Sequence, residues 1–364
     1  MPAATPAARN IALDALRGLT VALMILVNTP GSWSYIYPPL RHAAWHGMTP
    51  TDLVFPLFLF IVGAAMAFSL PRDRPPSASI VLGLIRRSLL LIGLGLLLNA
   101  YPFAVAPEHL RLPGVLQRIG ICYLLAGLML LYLRGWRLWL VALGLLLGWW
   151  VLMLVPGAEL AWTLQHNMAR RWDLVLLGES HLWQGAGLAF DPEGLLSTVP
   201  AVVSVLIGHA VAAEWRAGAG SPACVRRLAA AALAMILLGL LWSPWMPINK
   251  SLWTGSFMLI SSGIAVWSLL LVDRLLRIEP LRTLAAPLRA YGQNPLLLYV
   301  LSWLLAASYP LLRIGEQDLQ GWLFLRLAMA MPAELASLCF ALTHVLLFGL
   351  LAMYLLRRGI VVRI

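Results

Sequence analysis

Charge is scarce in this chain of 364 residues. Asp, Glu, Lys and Arg make up 11%, against about 25% in soluble domains. Hydrophobic residues make up 61%, above the usual value of about 45–50%, and the mean hydropathy is +0.84. This balance excludes a water-soluble globule and a disordered chain. Cysteine is also sparse. Cys122, Cys224 and Cys339 lie far apart, with no CxxC or metal-ligand spacing, which predicts neither a disulfide framework nor a structural zinc. Lysine is present once, as Lys250. No Walker loop, HExxH or GxSxG motif occurs, and no repeat of 20–50 residues is evident.

What is present is apolar length. Continuous apolar runs lie near 11–30, 52–70, 80–99, 114–133, 138–155, 195–213, 227–244, 252–272, 289–309 and 333–356. Each approaches the ~20 residues needed to cross a bilayer. None shows the alternation of a barrel strand, so the runs predict helices. The expected fold class is an all-α polytopic bundle of about ten transmembrane helices, organised as one domain over 1–364. Asp14 and Arg17 interrupt the first run and no small-residue cleavage site follows it, so it is expected to be a retained span rather than a signal peptide.

The net charge of +11 resembles a nucleic-acid signature, but its distribution argues otherwise. With the N-terminus inside, the inner segments hold 18 of the 26 basic residues and five of the 15 acids, a net of +13. The remainder nets −2. The positive-inside rule then places both termini in the cytoplasm and the basic loops beside anionic lipid headgroups. Nucleic acid is not an expected partner. The opposite segments, 31–51, 99–113, 156–194, 245–251 and 310–320, are rich in Trp, His, Pro and acids. Histidines 42, 46, 109, 166, 181 and 344 are expected on or near that side, and His209 near the other. The 39-residue segment 156–194 is long enough to be functional rather than a connector.

The densest motif is RHAAWHGMTPTDLVFP, 41–56. Thr49 with Asp52 reads as a capping box and Pro50 as a first-turn proline. His42 and His46 flank Trp45. A neutral imidazole there is a candidate general base, and the plain alternative is an interfacial pair beside a Trp anchor. In LDALRG, 13–18, Asp14 and Arg17 share a helix face, as an ion pair or a functional pair. Asn28 near the far end of that span is a candidate oxyanion donor or an interhelical hydrogen bond. RLPGVLQRIG, 111–120, places Gln117 and Arg118 in the first turns of a span, where the arginine either snorkels or holds an anion. AFDPEG, 189–194, reads as a helix start with Asp191 as N-cap and Pro192 at the first position. PINKSLWT, 247–254, sets Lys250 beside Asn249 at a span entry. YGQNPLLLY, 291–299, sets Gln293 and Asn294 before a proline within a span.

In their linked order these motifs resemble the heparan-α-glucosaminide N-acetyltransferase family. The run LDALRG, ILVN, RHAAWHGMTPTDLVFPLFLFIVG carries the resemblance, followed by RLPGVLQRIG, LLGESHLW, AFDPEGLLSTV, PINKSLWT and YGQNPLLLY, from residue 11 to about 300. The human-type enzyme has a further N-terminal luminal domain and an extra first span, so the expectation is a bacterial-type member in an inner membrane, its site facing the periplasm. The resemblance implies transfer of acetyl from cytoplasmic acetyl-CoA to a glucosamine-type amine across the membrane, no metal, and a homodimer. The family's essential histidine, in a motif like KHASWNG, matches His42, while His46 falls where that motif has Asn. The first-span Asn matches Asn28. Asp14, Arg17, Arg118, Asn249, Lys250 and Asn294 become candidates for the acetyl-CoA site, and Trp45, Asp191 and His181 for the acceptor. From the residues alone, a transporter of sugars or amino sugars and a membrane scaffold remain the competing readings.

Overall fold

The computed structural model describes residues 11–71 and 77–362. Arg9, Arg72, Asp73, Arg74 and Arg363 of the charge argument lie outside the described residues. In chain order the helices are α1 (Ile11–Asn28), α2 (Val54–Ser69), α3 (Ala78–Ala100), α4 (Val115–Tyr132), α5 (Trp136–Met153), α6 (Met168–Leu177) and α7 (Leu195–Gly218). They continue with α8 (Pro222–Trp242), α9 (Gly255–Leu276), α10 (Glu279–Leu284), α11 (Ala286–Gln293), α12 (Pro295–Ser308), α13 (Leu319–Ala328) and α14 (Ala333–Arg357). The only strands among the described residues are two-residue pieces, β1 (Arg313–Ile314) and β2 (Gln317–Asp318), paired antiparallel.

Nine of these helices, α2 taken with the 3₁₀ turn before it, are long and apolar enough to cross a membrane, and each coincides with an expected span. The expected tenth, 289–309, is instead a broken pair: Glu279–Gln293 and Pro295–Leu311 meet at 80°. The break has a local cause. Pro295 lacks an N–H and disfavours helical backbone before it, and Asn294 accordingly sits at φ −126°, ψ 49°. Two further elements appear where loops were expected: α6 inside 156–194, started by the Asn167 side chain accepting from Arg170 N, and α13, capped by Asp318 accepting from Gly321 N. His344, expected near an outer end, lies in the interior of α14, buried, within hydrogen-bond distance of the Tyr309 hydroxyl.

The chain divides into two compact units. One holds residues up to His42, Thr49–Phe55 and the chain from Trp267; the other holds Ala43–Met48 and Pro56–Val266. In the first, α1 crosses α11 backbone to backbone. A Cβ on Gly18 would stand 1.7 Å from the Leu288 carbonyl oxygen, and one on Gly292 would stand 2.0 Å from that of Asp14. In the second, α2 crosses α7 in the same way: the distances are 1.8 Å from Gly63 to the Val205 oxygen and 2.0 Å from Gly208 to the Phe60 oxygen. Lipid supplies no hydrophobic drive between helices, so close approach at small residues is what holds such crossings. In the second unit α7 is an inner helix and α3, α5 and α8 are peripheral: 72% of the apolar window is buried in α7 and 22% in each of the other three.

Candidate active site

In the first unit the chain leaves α1 at Asn28, which is exposed, and reaches His42 through a loop tied by Arg41, whose Nε donates to the Ile36 carbonyl at 2.7 Å. The expected capping box forms: Thr49 N donates to Asp52 Oδ2 at 3.0 Å, starting the 3₁₀ turn Pro50–Leu53 that leads into α2. The other carboxylate oxygen does something the spacing left open. Asp52 Oδ1 lies 2.7 Å from His42 Nδ1. The carboxylate is 2% exposed and the imidazole 49%. An ionised carboxylate only accepts, so Nδ1 carries the proton and the lone pair of the neutral ring is on Nε2. The capping role of Asp52 and its role beside His42 are thus compatible, because each uses a different oxygen. The arrangement is a histidine held in one tautomer by a buried acid, with the ring partly open to a reactant.

Also in this unit, Arg17 lies 3.3 Å from Asp14 and donates from Nη1 to the Gly292 carbonyl at 3.0 Å, so the pair braces α1 against α11. Asn294 is buried. Its Nδ2 donates to the Ile360 carbonyl at 2.9 Å and its Oδ1 accepts from Val362 N at 2.8 Å. Its amide thus fastens the C-terminal segment to the break between α11 and α12.

In the second unit three sequence motifs meet. Asn249, fully buried, donates from Nδ2 to the Trp45 carbonyl at 2.8 Å and accepts Leu252 N at 2.9 Å. Gly47 N donates to the Ile248 carbonyl at 2.8 Å. Lys250 is half-buried in the turn that follows, its carbonyl accepting from Trp253 N at 3.0 Å. Trp45 donates from Nε1 to the Trp162 carbonyl at 2.7 Å and meets Phe190 edge-on at 5.3 Å. The segment just after His42 is therefore clasped by 247–254 and 162–190.

Asp191, next to Phe190, is not the N-cap expected from AFDPEG: α7 begins at Leu195 behind Gly194. The Asp191 carboxylate instead receives Arg111 in a two-point contact, Nε to Oδ2 at 2.8 Å and Nη2 to Oδ1 at 2.7 Å, while Nη2 also reaches Glu193 at 2.8 Å. Burial alone would depress the Arg111 pKa, but its two carboxylate partners outweigh burial and raise it. Sequence reasoning passed over Arg111, and no spacing rule pairs residues 80 apart. His181 Nδ1 donates to the Leu110 carbonyl at 2.7 Å and the His181 carbonyl accepts from Leu112 N at 3.0 Å, so the residue fastens 110–112 to 179–183.

The start of α7 is capped from elsewhere in the chain. Asp173 Oδ1 accepts Leu195 N at 3.0 Å, and its Oδ2 is buried with no hydrogen-bond partner. Burial pushes the Asp173 carboxyl up to about 6, against the downward pull of the Leu195 and Leu196 N–H groups and Arg118. Arg118 is 1% exposed. Its donors go to Thr198 Oγ1, Ser197 Oγ and the Gly194 carbonyl, and its guanidinium stands 5.3 Å from the Trp253 ring centroid. Arg118 therefore neither snorkels nor lies open at a surface.

Residues 9–175 match the family model described as "Heparan-alpha-glucosaminide N-acetyltransferase, catalytic". The human protein named heparan-alpha-glucosaminide N-acetyltransferase (Homo sapiens) is 29% identical over 361 residues, covering 82% of this chain and 53% of the relative. The mouse protein of the same name (Mus musculus) is 28% identical over 352 residues, covering 79% of this chain and 52% of the relative. The chain spans about half the length of the curated relatives it matches. The matched segment contains α1, the His42–Asp52 pair and Arg111, and over those residues the chain is similar to the heparan-α-glucosaminide N-acetyltransferase family.

Proposed function

We propose that this protein is a membrane N-acetyltransferase that moves acetyl from acetyl-CoA to the amine of a glucosamine-type sugar, with His42 as the group that handles the proton. The observation that carries this reading is the 2.7 Å contact between His42 and the buried Asp52, lying inside the family-matched residues 9–175.

The chemistry follows from that contact. A glucosamine amine must lose a proton to attack a thioester. With Asp52 holding Nδ1–H, Nε2 accepts the amine proton as the C–N bond forms. The thioester carbonyl becomes an oxyanion, for which the Asn28 amide is the proposed donor. Collapse of the tetrahedral species breaks the C–S bond, and Nε2–H returns its proton to the departing CoA thiolate. The products are CoA and the N-acetyl sugar, and His42 is restored. A two-step variant has Nε2 attack first and pass the acetyl on; trapping acetyl on His42 after an acid quench distinguishes the routes.

In the same proposal the anionic donor enters from the basic, cytoplasmic side of a bacterial inner membrane and the sugar is met at the other. Asp14, Arg17, Lys250, Asn249 and Asn294 belong to the donor side of the proposal as residues shaping the site, and Trp45, His181 and Asp191 to the acceptor side. In this proposal Arg118, Asn294 and Asp191, whose polar groups are engaged in the buried contacts described above, shape the site rather than bind a ligand directly.

The test is release of CoA by the purified protein with a panel of amino sugars. Release that requires both acetyl-CoA and a free amine supports the proposal. Uptake of labelled sugar into vesicles without acetyl-CoA, and no CoA release, would replace it with a transporter.

A further inference from the structure

One face of the second unit carries a concavity that the proposed acetyl transfer does not use. It is a groove of about 530 Å³ between α5 and α8, floored by α7. That volume is within the range of ~300–1,000 Å³ typical of small-ligand sites. Its lining runs from Trp139 to Leu146 on α5, Val203 to Glu214 on α7 and Leu228 to Met235 on α8, with Met258 and Leu259 of α9 at its inner end. On α7 this is twelve residues, or eleven rises of about 1.5 Å, about 16 Å in all. A bilayer core is about 30 Å thick, so the groove is little more than one leaflet deep and does not run the full thickness.

Its mouth is set by the sequence. The α5 and α8 residues begin within the first two turns of those helices and run just past their midpoints, and Glu214 belongs to the last turns of α7. The helix ends gathered at that mouth carry Arg134, Arg137, Arg216, Arg226 and Arg227. Glu214 is paired with Arg227. Arg134, Arg137 and Arg226 are exposed. The walls are apolar almost throughout, with Glu214 the one charged lining residue, at the arginine end.

Depth, lining and charge together select an occupant. A helix from a second copy would need a groove running the full thickness of the bilayer. A soluble anion would need polar walls. An acyl chain needs apolar walls over one leaflet, and a phosphate needs cations at the mouth. We propose that this groove seats one acyl chain of an anionic glycerophospholipid, whose phosphate lies among Arg134, Arg137 and Arg226. The inference is independent of the acetyltransferase reading.

The test uses the whole protein reconstituted in vesicles of phosphatidylethanolamine and phosphatidylglycerol, with a phosphatidylglycerol probe bearing a photoreactive diazirine on its acyl chain. Labelled peptides are mapped by mass spectrometry. Labelling is expected to concentrate on 139–146, 203–214 and 228–235. Unlabelled phosphatidylglycerol should compete it away better than phosphatidylethanolamine. Arg137→Gln with Arg226→Gln should weaken the competition by about fivefold per arginine. Ala210→Trp, which fills the groove floor, should abolish the local labelling while leaving that of the outer faces of α3 and α8.

Labelling spread evenly over all lipid-facing helices, or equal competition by the two lipids, would overturn the proposal. So would protection by coenzyme A or a crosslink between two copies of the chain, each of which assigns the groove to a different occupant. If the tryptophan variant fails to fold, the lipid competition on the unaltered protein still decides.

Discussion

Asp52→Asn isolates what the buried carboxylate does for His42. The substitution keeps size and shape. The amide oxygen can still accept Thr49 N, as Asp52 Oδ2 does now at 3.0 Å, so the cap survives and the stability loss should stay below about 1 kcal/mol. The other end of the amide is an NH₂ group, which faces His42 Nδ1 where a carboxylate oxygen stood at 2.7 Å. A donor there forces Nδ1 to accept, which moves the proton of the neutral ring to Nε2 and removes the base from the reacting side. General-base assistance contributes about 10²–10⁴ in rate, which at 1.36 kcal/mol per decade is about 3–5 kcal/mol of barrier. We therefore expect kcat to fall by two to four orders of magnitude with the KM for acetyl-CoA and sugar little changed. The assay is CoA release under saturating substrate, with thermal unfolding measured on the same preparation. Asp52→Ala, which loses the cap as well, should add a stability loss of about 0.5–2 kcal/mol. An Asp52→Asn protein that is folded and within about threefold of wild-type kcat would refute the reasoning, since a lost tautomer cannot cost so little.

Other consequences concern stability. Asp173 is pushed up to about 6 from 3.8 by burial, so the folded state holds its proton more tightly than the unfolded one. Its stabilising contribution is complete below about pH 4 and is lost as pH rises through about 6, some two pK units or about 3 kcal/mol. Asp173→Asn should flatten the fall in melting temperature across that window; an unchanged profile would show that this carboxyl is not responsible. Arg111→Leu leaves Asp191 buried without its cation and should cost about 3–5 kcal/mol, read as a lower melting temperature. Gly208→Val drives a side chain into the Phe60 carbonyl, 2.0 Å from the first added carbon; the folded yield in detergent should collapse, and wild-type yield would mean that α2 and α7 can part at little cost.

The spans were legible because apolar length and the absence of charge are local properties of a helix in lipid. The exception, the expected single span at 289–309, broke at Asn294–Pro295, where the proline was visible but the partners of the Asn294 side chain at the break, Ile360 and Val362, are distant in sequence. α6 stayed hidden because a short polar helix carries no transmembrane signal. At the site, the capping box was readable from a three-residue spacing. The His42–Asp52 contact was not, because it uses the second oxygen of a residue already explained. Asp191 failed as a predicted N-cap because its partner, Arg111, lies 80 residues away. Arg118 was expected either to snorkel or to hold an anion; its donors go to the first turn of α7, a use that only the packing of α4 against α7 reveals.

The central claim is that His42 carries the acetyl-transfer chemistry. The most direct measurement compares acetyl transfer from labelled acetyl-CoA to amino sugars by the wild-type protein and by His42→Ala, each shown by thermal unfolding to be folded. His42 is exposed outside the spans and Asp52 keeps Thr49 N and Oγ1 as partners when the ring is removed, so the variant should still fold, with a lowered melting temperature. The account predicts that transfer to the sugar falls to background in the variant. Full activity in a folded His42→Ala protein would contradict it.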